Sequence, residues 1–181
     1  ASGLISPIID LRIIDADGNP LPAGSMGEIC LRGVTVMEGY WNDPEATANA
    51  MRGGWFHTGD VGYVSDDGLL FVVDRIKDVI NRSGEKIAAA EVESCLLQHP
   101  SLNEAAVFAM PDEGTGEAVA AAVVVREGFR VSEAELQAHV AAHLAGYKVP
   151  ARIFMRQDAL PRNPAGKLLK GDLKRECLGA A

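Results

Sequence analysis

Val73-Asp74-Arg75-Ile76-Lys77-Asp78-Val79-Ile80-Asn81-Arg82-Ser83-Gly84-Glu85-Lys86-Ile87 lies where the chain changes character. Before it the sequence reads as β. Ile8 to Ile14 carries charges at alternate positions (Asp10, Arg12), the period of a half-exposed strand. Asp17-Gly18-Asn19-Pro20 and Pro22-Ala23-Gly24 punctuate it as turns, and Glu28 to Arg32 is a second strand. Asn42 is placed to cap a short helix with Pro44 in its first turn, ending near Met51. Trp55-Phe56, Val61 to Val64 and Leu69 to Val73 are further strands, the last two joined at Asp66-Asp67-Gly68. Many short strands with close turns predict a small β-barrel-like subdomain or a distorted sandwich.

After the junction the classes mix. Arg75 to Ile80 reads as a short strand. Glu91 to Gln98 reads as a helix with Val92, Cys95 and Leu96 on one face. Ala105 to Ala109, Val119 to Val125 and Arg152 to Met155 read as strands. Ser132 and Glu135 form a capping box that opens a helix to Leu144, and Leu168 to Cys177 is a terminal helix. The order predicts an α+β module with a small central sheet of about three strands flanked by helices. Charge divides at the same place. Residues 1–74 hold 11 acidic and 3 basic residues, whereas 75–181 hold 14 of each. Two modules are therefore expected, 1–74 and 75–181.

Composition excludes several classes. The net charge of −8 over 181 residues argues against a general nucleic-acid binder. There is no apolar run long enough to span a bilayer and no basic-then-apolar opening. Cys30, Cys95 and Cys177 are scattered without a CxxC pair, which fits a reducing compartment, and the cytoplasm is expected. His139 and His143 have metal-ligand spacing, but Val140 stands where a zincin has its glutamate. They read as ordinary half-buried histidines, and no metal ligand is expected in this chain. Gly114 and Gly116 lack the third glycine of a dinucleotide loop, and Gly166-Lys167-Leu168 lacks the hydroxyl residue of a phosphate loop.

Four segments remain. Trp55 to Asp60 sets a glycine beside a carboxylate, which can accept two vicinal hydroxyls such as those of ribose. The junction segment offers the donor fork of Arg75 and a turn at Gly84 with positive φ. Leu144 to Pro150 is a helix end feeding extended chain. Leu160 to Lys170, with two prolines and a glycine, delivers Lys167 at the tip of a stiff loop, a movable charge for an oxyanion or phosphate.

In this order and spacing the segments resemble the C-terminal part of the acyl-adenylate-forming enzymes: acyl-CoA synthetases, peptide synthetase adenylation domains and beetle luciferases. Gly27 to Gly33, Gly39-Tyr40-Trp41, Thr47, Phe71 to Asp78, Met110-Pro111-Asp112 and Gly116-Glu117 carry the likeness alongside the Thr58-Gly59-Asp60 and Lys167 motifs. The family's upstream phosphate loop and its magnesium-holding glutamate segment have no counterpart here. The resemblance implies a last β-subdomain of a large domain followed by a lid domain with a hinge at Asp74. It implies ATP and AMP as nucleotides, Mg2+ held by residues upstream, and coenzyme A as co-substrate. Asp60 and Arg75 would bind the ribose, and Lys167 the carboxylate and α-phosphate in the first half-reaction. Ser83, Gly84, Glu85 and Lys86 would line the pantetheine passage in the second. The partners implied are the rest of the large domain, a small carboxylate, and a protein acetyltransferase acting on Lys167. A piece of this kind is expected to be inactive alone. The alternative is a peptide synthetase adenylation domain, or a module that only docks a carrier.

Overall fold

The computed structural model describes residues 2–179, which divide into two compact units between Lys77 and Asp78. The class is α+β, with four α-helices and two five-stranded sheets among the described residues.

The first unit is one antiparallel sheet. Its strands are β1 (Gly3–Leu4), β2 (Ile9–Ile14), β3 (Gly27–Gly33), β4 (Phe56–Val64) and β5 (Leu69–Arg75), in spatial order β1-β5-β4-β3-β2. The alternation in β2 turns Ile13 into the core and sends Asp10 out to face Arg32 of β3 at 2.9 Å. Tyr63 and Phe71, opposite each other on β4 and β5, stack at 4.8 Å. The sheet stays open, because its outer strands β1 and β2 pair with β5 and β3 and not with each other. The barrel-like expectation is corrected in that respect. Helix α1 (Pro44–Ala50) is capped by Asp43, whose side chain accepts from the Ala46 N–H at 2.9 Å. The expected cap, Asn42, instead takes a left-handed turn conformation at φ 51.

The second unit holds more strands than the sequence pattern predicts. The junction segment folds as a 3-10 turn (Ile76–Asp78) and then a hairpin of β6 (Val79–Arg82) and β7 (Glu85–Ala88). Helix α2 (Ala89–Leu97) buries Ala89, Val92, Cys95 and Leu96. Strands β8 (Leu102–Asp112) and β9 (Gly116–Val125) pair along almost their whole length. Helix α3 (Glu133–His143) starts at the expected Ser132/Glu135 capping box. Strand β10 (Arg152–Arg156) joins β9 in parallel, and α4 (Lys170–Leu178) closes the unit.

The near-continuous apolar run of β9 follows from burial on both faces. Val119, Ala121 and Val123 join Val92, Leu96, Leu136 and Val140 in one core under α2 and α3. Ala120, Ala122 and Val124 join Phe108, Leu160 and Leu173 in a second core against α4. Each fully buried side chain of this size contributes roughly 1.5–3 kcal/mol. Among the described residues no helix is long and apolar enough to cross a membrane.

Candidate functional site

In the first unit, three expected residues gather where the end of β5 lies against the middle of β4. Asp60 and Arg75 are directly opposite in register, and Arg75 Nε lies 3.2 Å from Asp60 Oδ1. The Asp74 carboxylate accepts the Arg75 backbone N–H at 2.8 Å. The sheet is irregular here on both sides. Register shifts occur between Val61 and Gly62 against β5, and between Glu28 and Cys30 of β3. Bulges of this kind re-aim side chains at strand ends. Thr58 fixes the bend: its hydroxyl donates to the Ile29 carbonyl at 2.8 Å and accepts the Asp60 N–H at 3.0 Å. Glu28 holds the next turn, meeting His57 Nδ1 at 2.9 Å and accepting the Gly59 N–H at 3.3 Å. The carboxylate of Asp60 remains 31% exposed, with lone pairs free for hydroxyl donors. Burial, then the Glu28 carboxylate, pushes the Cys30 thiol up to about 11, away from the reactive thiolate form.

In the second unit, Ser83 and Gly84 form the two-residue turn of the β6–β7 hairpin with φ 50 and 92. Positive φ at both positions is the type I′ geometry that matches strand twist, and glycine accepts it without steric cost. Ser83, Gly84, Glu85 and Lys86 are all exposed. The hairpin is tied to the start of β9. Glu117 accepts the Asn81 N–H at 2.7 Å, the Thr115 carbonyl accepts the Ser83 N–H at 3.0 Å, and Arg82 donates to the Tyr147 carbonyl at 3.1 Å. Thr115 is in turn held by Asp112, whose carboxyl sits below the usual range because the Thr115 hydroxyl and backbone N–H bond it.

Lys167 occupies the tip of a second tight turn. The Asn163 N–H donates to the Lys167 carbonyl, and the Asn163 side chain accepts the Lys167 N–H, both at 2.9 Å. Gly166 supplies φ 80 at the corner. Arg162 anchors the base by pairing with Glu104 of β8 at 2.7 Å and donating to the Gly166 carbonyl at 3.1 Å. The Lys167 side chain is exposed, and its ammonium makes no hydrogen bond or ion pair among the described residues. Lys148, in the helix-end segment, pairs with Glu91 at 2.6 Å.

The structure thus brings Asp60, Asp74 and Arg75 together. It places the Ser83–Lys86 hairpin and Lys167 on separate supports of the second unit, Thr115/Glu117 and Glu104 respectively. Glu104, Asn163 and Thr115 were not singled out as supports from sequence. A lone acid in a strand reads as solvated, and its partners lie far away in the chain. Glu117 stood out only as part of a motif.

Comparison with known proteins follows the same line. Residues 91–167 match the model of the AMP-binding enzyme C-terminal domain. The 4-coumarate–CoA ligase-like protein 9 of Oryza sativa subsp. japonica is 45% identical over 176 residues, 96% of this chain and 32% of that protein. The amide bond synthetase McbA from Marinactinospora thermotolerans superposes with a TM-score of 0.85 at 40% identity, over 96% of this chain and 36% of that one. The o-succinylbenzoate CoA synthetase MenE from Bacillus subtilis, solved with its acyl-adenylate intermediate, gives 0.85 at 39% identity, over 93% of this chain and 34% of that one. The chain spans about a third of the length of these relatives. With its second unit carrying the AMP-binding enzyme C-terminal domain and both units superposing on adenylate-forming ligases, the chain belongs to the acyl-adenylate-forming enzyme superfamily.

Proposed function

We propose that this chain is the C-terminal part of an ATP-dependent carboxylate–CoA ligase. In the first half-reaction a carboxylate oxygen attacks the α-phosphate of ATP and pyrophosphate leaves, giving acyl-AMP. In the second, the coenzyme A thiol attacks the acyl carbon and AMP leaves. The observation that carries the reading is the Asp60–Arg75 pair, set opposite each other beside the β4 bulge at the end of β5, with Asp60 open to hydroxyl donors. Asp60 accepts the two ribose hydroxyls, and Arg75 donates beside it. Lys167, unpaired at its turn, neutralises charge that develops on the carboxylate and α-phosphate oxygens. Asp74, near the end of β5 and just before the division of the two units at Lys77/Asp78, is the hinge of a swing that exchanges Lys167 for the Ser83–Lys86 hairpin, the passage for pantetheine. Both groupings of potential metal ligands among the described residues contain sulfur and imidazole. They do not suit Mg2+, and magnesium is assigned no residue of this chain. The three free thiols support a reducing compartment, the cytoplasm. The likeness to an amide bond synthetase supports a second reading, in which an amine replaces the thiol as acceptor and the adenylation roles are unchanged.

The test is a hybrid in which these 181 residues replace the matching third of a 4-coumarate–CoA ligase. The hybrid should catalyse carboxylate-dependent ATP–pyrophosphate exchange and form the CoA thioester, and Asp60→Ala should abolish exchange. A folded Asp60→Ala hybrid that exchanges as fast as its unsubstituted counterpart would refute the assignment.

A further inference from the structure

We infer that Cys95, His139 and His143 form a binding site for Zn2+ or a similar borderline divalent cation, clipping α2 to α3. The two histidines are one turn apart on α3, with ring centroids 4.6 Å apart. Cys95 comes from the neighbouring helix, 44 positions earlier than His139. One ligand atom from each residue lies within 4.8 Å of the others. A tetrahedral zinc with bonds of about 2.0–2.3 Å sets its ligand atoms roughly 3.5 Å apart. Closing the difference takes side-chain adjustment, for which the exposed His143 has room by turning about its Nδ1 contact with the His139 carbonyl.

The hydrogen bonds leave one nitrogen of each ring without a hydrogen. His139 Nε2 lies 3.0 Å from the Cys95 carbonyl, and His143 Nδ1 lies 2.8 Å from the His139 carbonyl. A carbonyl only accepts, so each of these nitrogens carries the hydrogen. His139 Nδ1 and His143 Nε2 are then left with lone pairs. A ring that donates its other N–H to a backbone carbonyl is the usual support of a metal-bound histidine. His99 packs edge-on against His139 at 5.1 Å, and its own Nδ1 is engaged with Ser101 Oγ at 2.7 Å. The donor set of one sulfur and two imidazoles favours zinc over magnesium or calcium. Cys95 is buried, His139 half-buried and His143 exposed, so the fourth position opens to solvent and takes a water. Binding replaces the Cys95 S–H bond with an S–metal bond. The proton leaves to solvent, and both imidazoles stay neutral.

The second grouping, Glu28, Cys30 and His57, carries no such proposal. His57 Nδ1 is already shared between Glu28 at 2.9 Å and the Arg52 guanidinium at 3.2 Å, and the guanidinium repels a metal ion.

The test uses the whole 181-residue chain, stripped with chelator and titrated with ZnCl2 and with CoCl2 as optical probe. One equivalent should bind with micromolar or tighter affinity, Co2+ should give a thiolate charge-transfer band, and zinc should raise Tm. His143→Ala changes an exposed side chain. It should keep the metal-free Tm, weaken binding about tenfold or more, and lose the zinc-induced rise. His57→Ala should bind as the parent does. Absence of binding at tens of micromolar zinc, a cobalt complex without the thiolate band, unchanged affinity in His143→Ala, or loss of the site in His57→Ala would each overturn the proposal.

Discussion

Lys167→Ala tests whether the proposed catalytic use of this side chain is separate from any part in folding. The Lys167 ammonium has no partner among the described residues, and its turn is closed by backbone groups and Asn163. An exposed side chain of this kind contributes within about 0.5 kcal/mol to stability. The substitution should therefore move Tm by no more than about 2 °C. In the role proposed for it, on oxygens that gain charge in the adenylation transition state, the same lysine would be worth roughly 3–4 kcal/mol by comparison with a removed oxyanion donor. That is a loss of a few hundred-fold. The assay is pyrophosphate exchange for the first half-reaction and thioester formation from supplied acyl-AMP for the second, in the hybrid ligase, with thermal unfolding of the isolated chain alongside. Exchange should fall by hundreds while thioester formation stays within a few-fold. Equal losses in both half-reactions, or a large drop in Tm, would refute the reasoning.

Gly84→Leu puts a side chain at φ 92 on an exposed turn, straining it by roughly 1–2 kcal/mol, and should slow the thioester step selectively. Equal slowing of exchange would sink that assignment. Leu136→Ala empties a fully buried position under α3 and should cost about 2–5 kcal/mol by denaturant unfolding; a loss under 1 kcal/mol would contradict the packing. An acetyltransferase supplied with acetyl-CoA should label Lys167 in preference to Lys170, which pairs with Glu93 at 2.7 Å, and to the half-buried Lys174. Peptide mass spectrometry showing label mainly at either of the latter would overturn this. Asp112 has a folded pKa below its ordinary value, so its stabilising contribution is full above that value and is lost as pH falls through the folded one. Thr115→Val removes the leading cause of the shift. It should therefore raise the pKa of Asp112, read by NMR titration, and lower stability more at neutral pH than in acid; an unchanged pKa would contradict the cause.

What the sequence disclosed depended on how far apart the partners lie. The Ser132/Glu135 box and the positive φ of Gly84 are decided within a few residues, and both stand as expected. The helix cap was misplaced by one position. Pro44 is itself the first helical residue, which makes Asp43 the cap and leaves Asn42 to the turn before it. The β6–β7 hairpin escaped notice because Val79-Ile80 and Ile87-Ala88 are short apolar runs around a polar tip. Whether the first sheet closes depends on which edges meet, and no local pattern states that. The roles of Asp60, Arg75 and Lys167 came from resemblance. Their supports, Glu104, Thr115 and Asn163, became visible only when distant segments met. The same is true of Cys95 beside His139.

The closed turn beneath Lys167 also fixes when conformational freedom is given up. A flexible loop residue loses roughly 1–2 kcal/mol when it is ordered, and a loop from Pro161 to Leu169 ordered only at the moment of use would forfeit more than a single ionic contact returns. Here that entropy has already been lost on folding, because the Asn163–Lys167 and Leu169–Pro161 backbone bonds and the Arg162–Glu104 pair hold the segment in place. Only the lysine stem, with about 2 kcal/mol of rotamer freedom, remains to be stilled by a ligand. A mutation that loosens the turn, such as Asn163→Gly, would thus weaken the lysine through disorder, with its charge and its reach both intact.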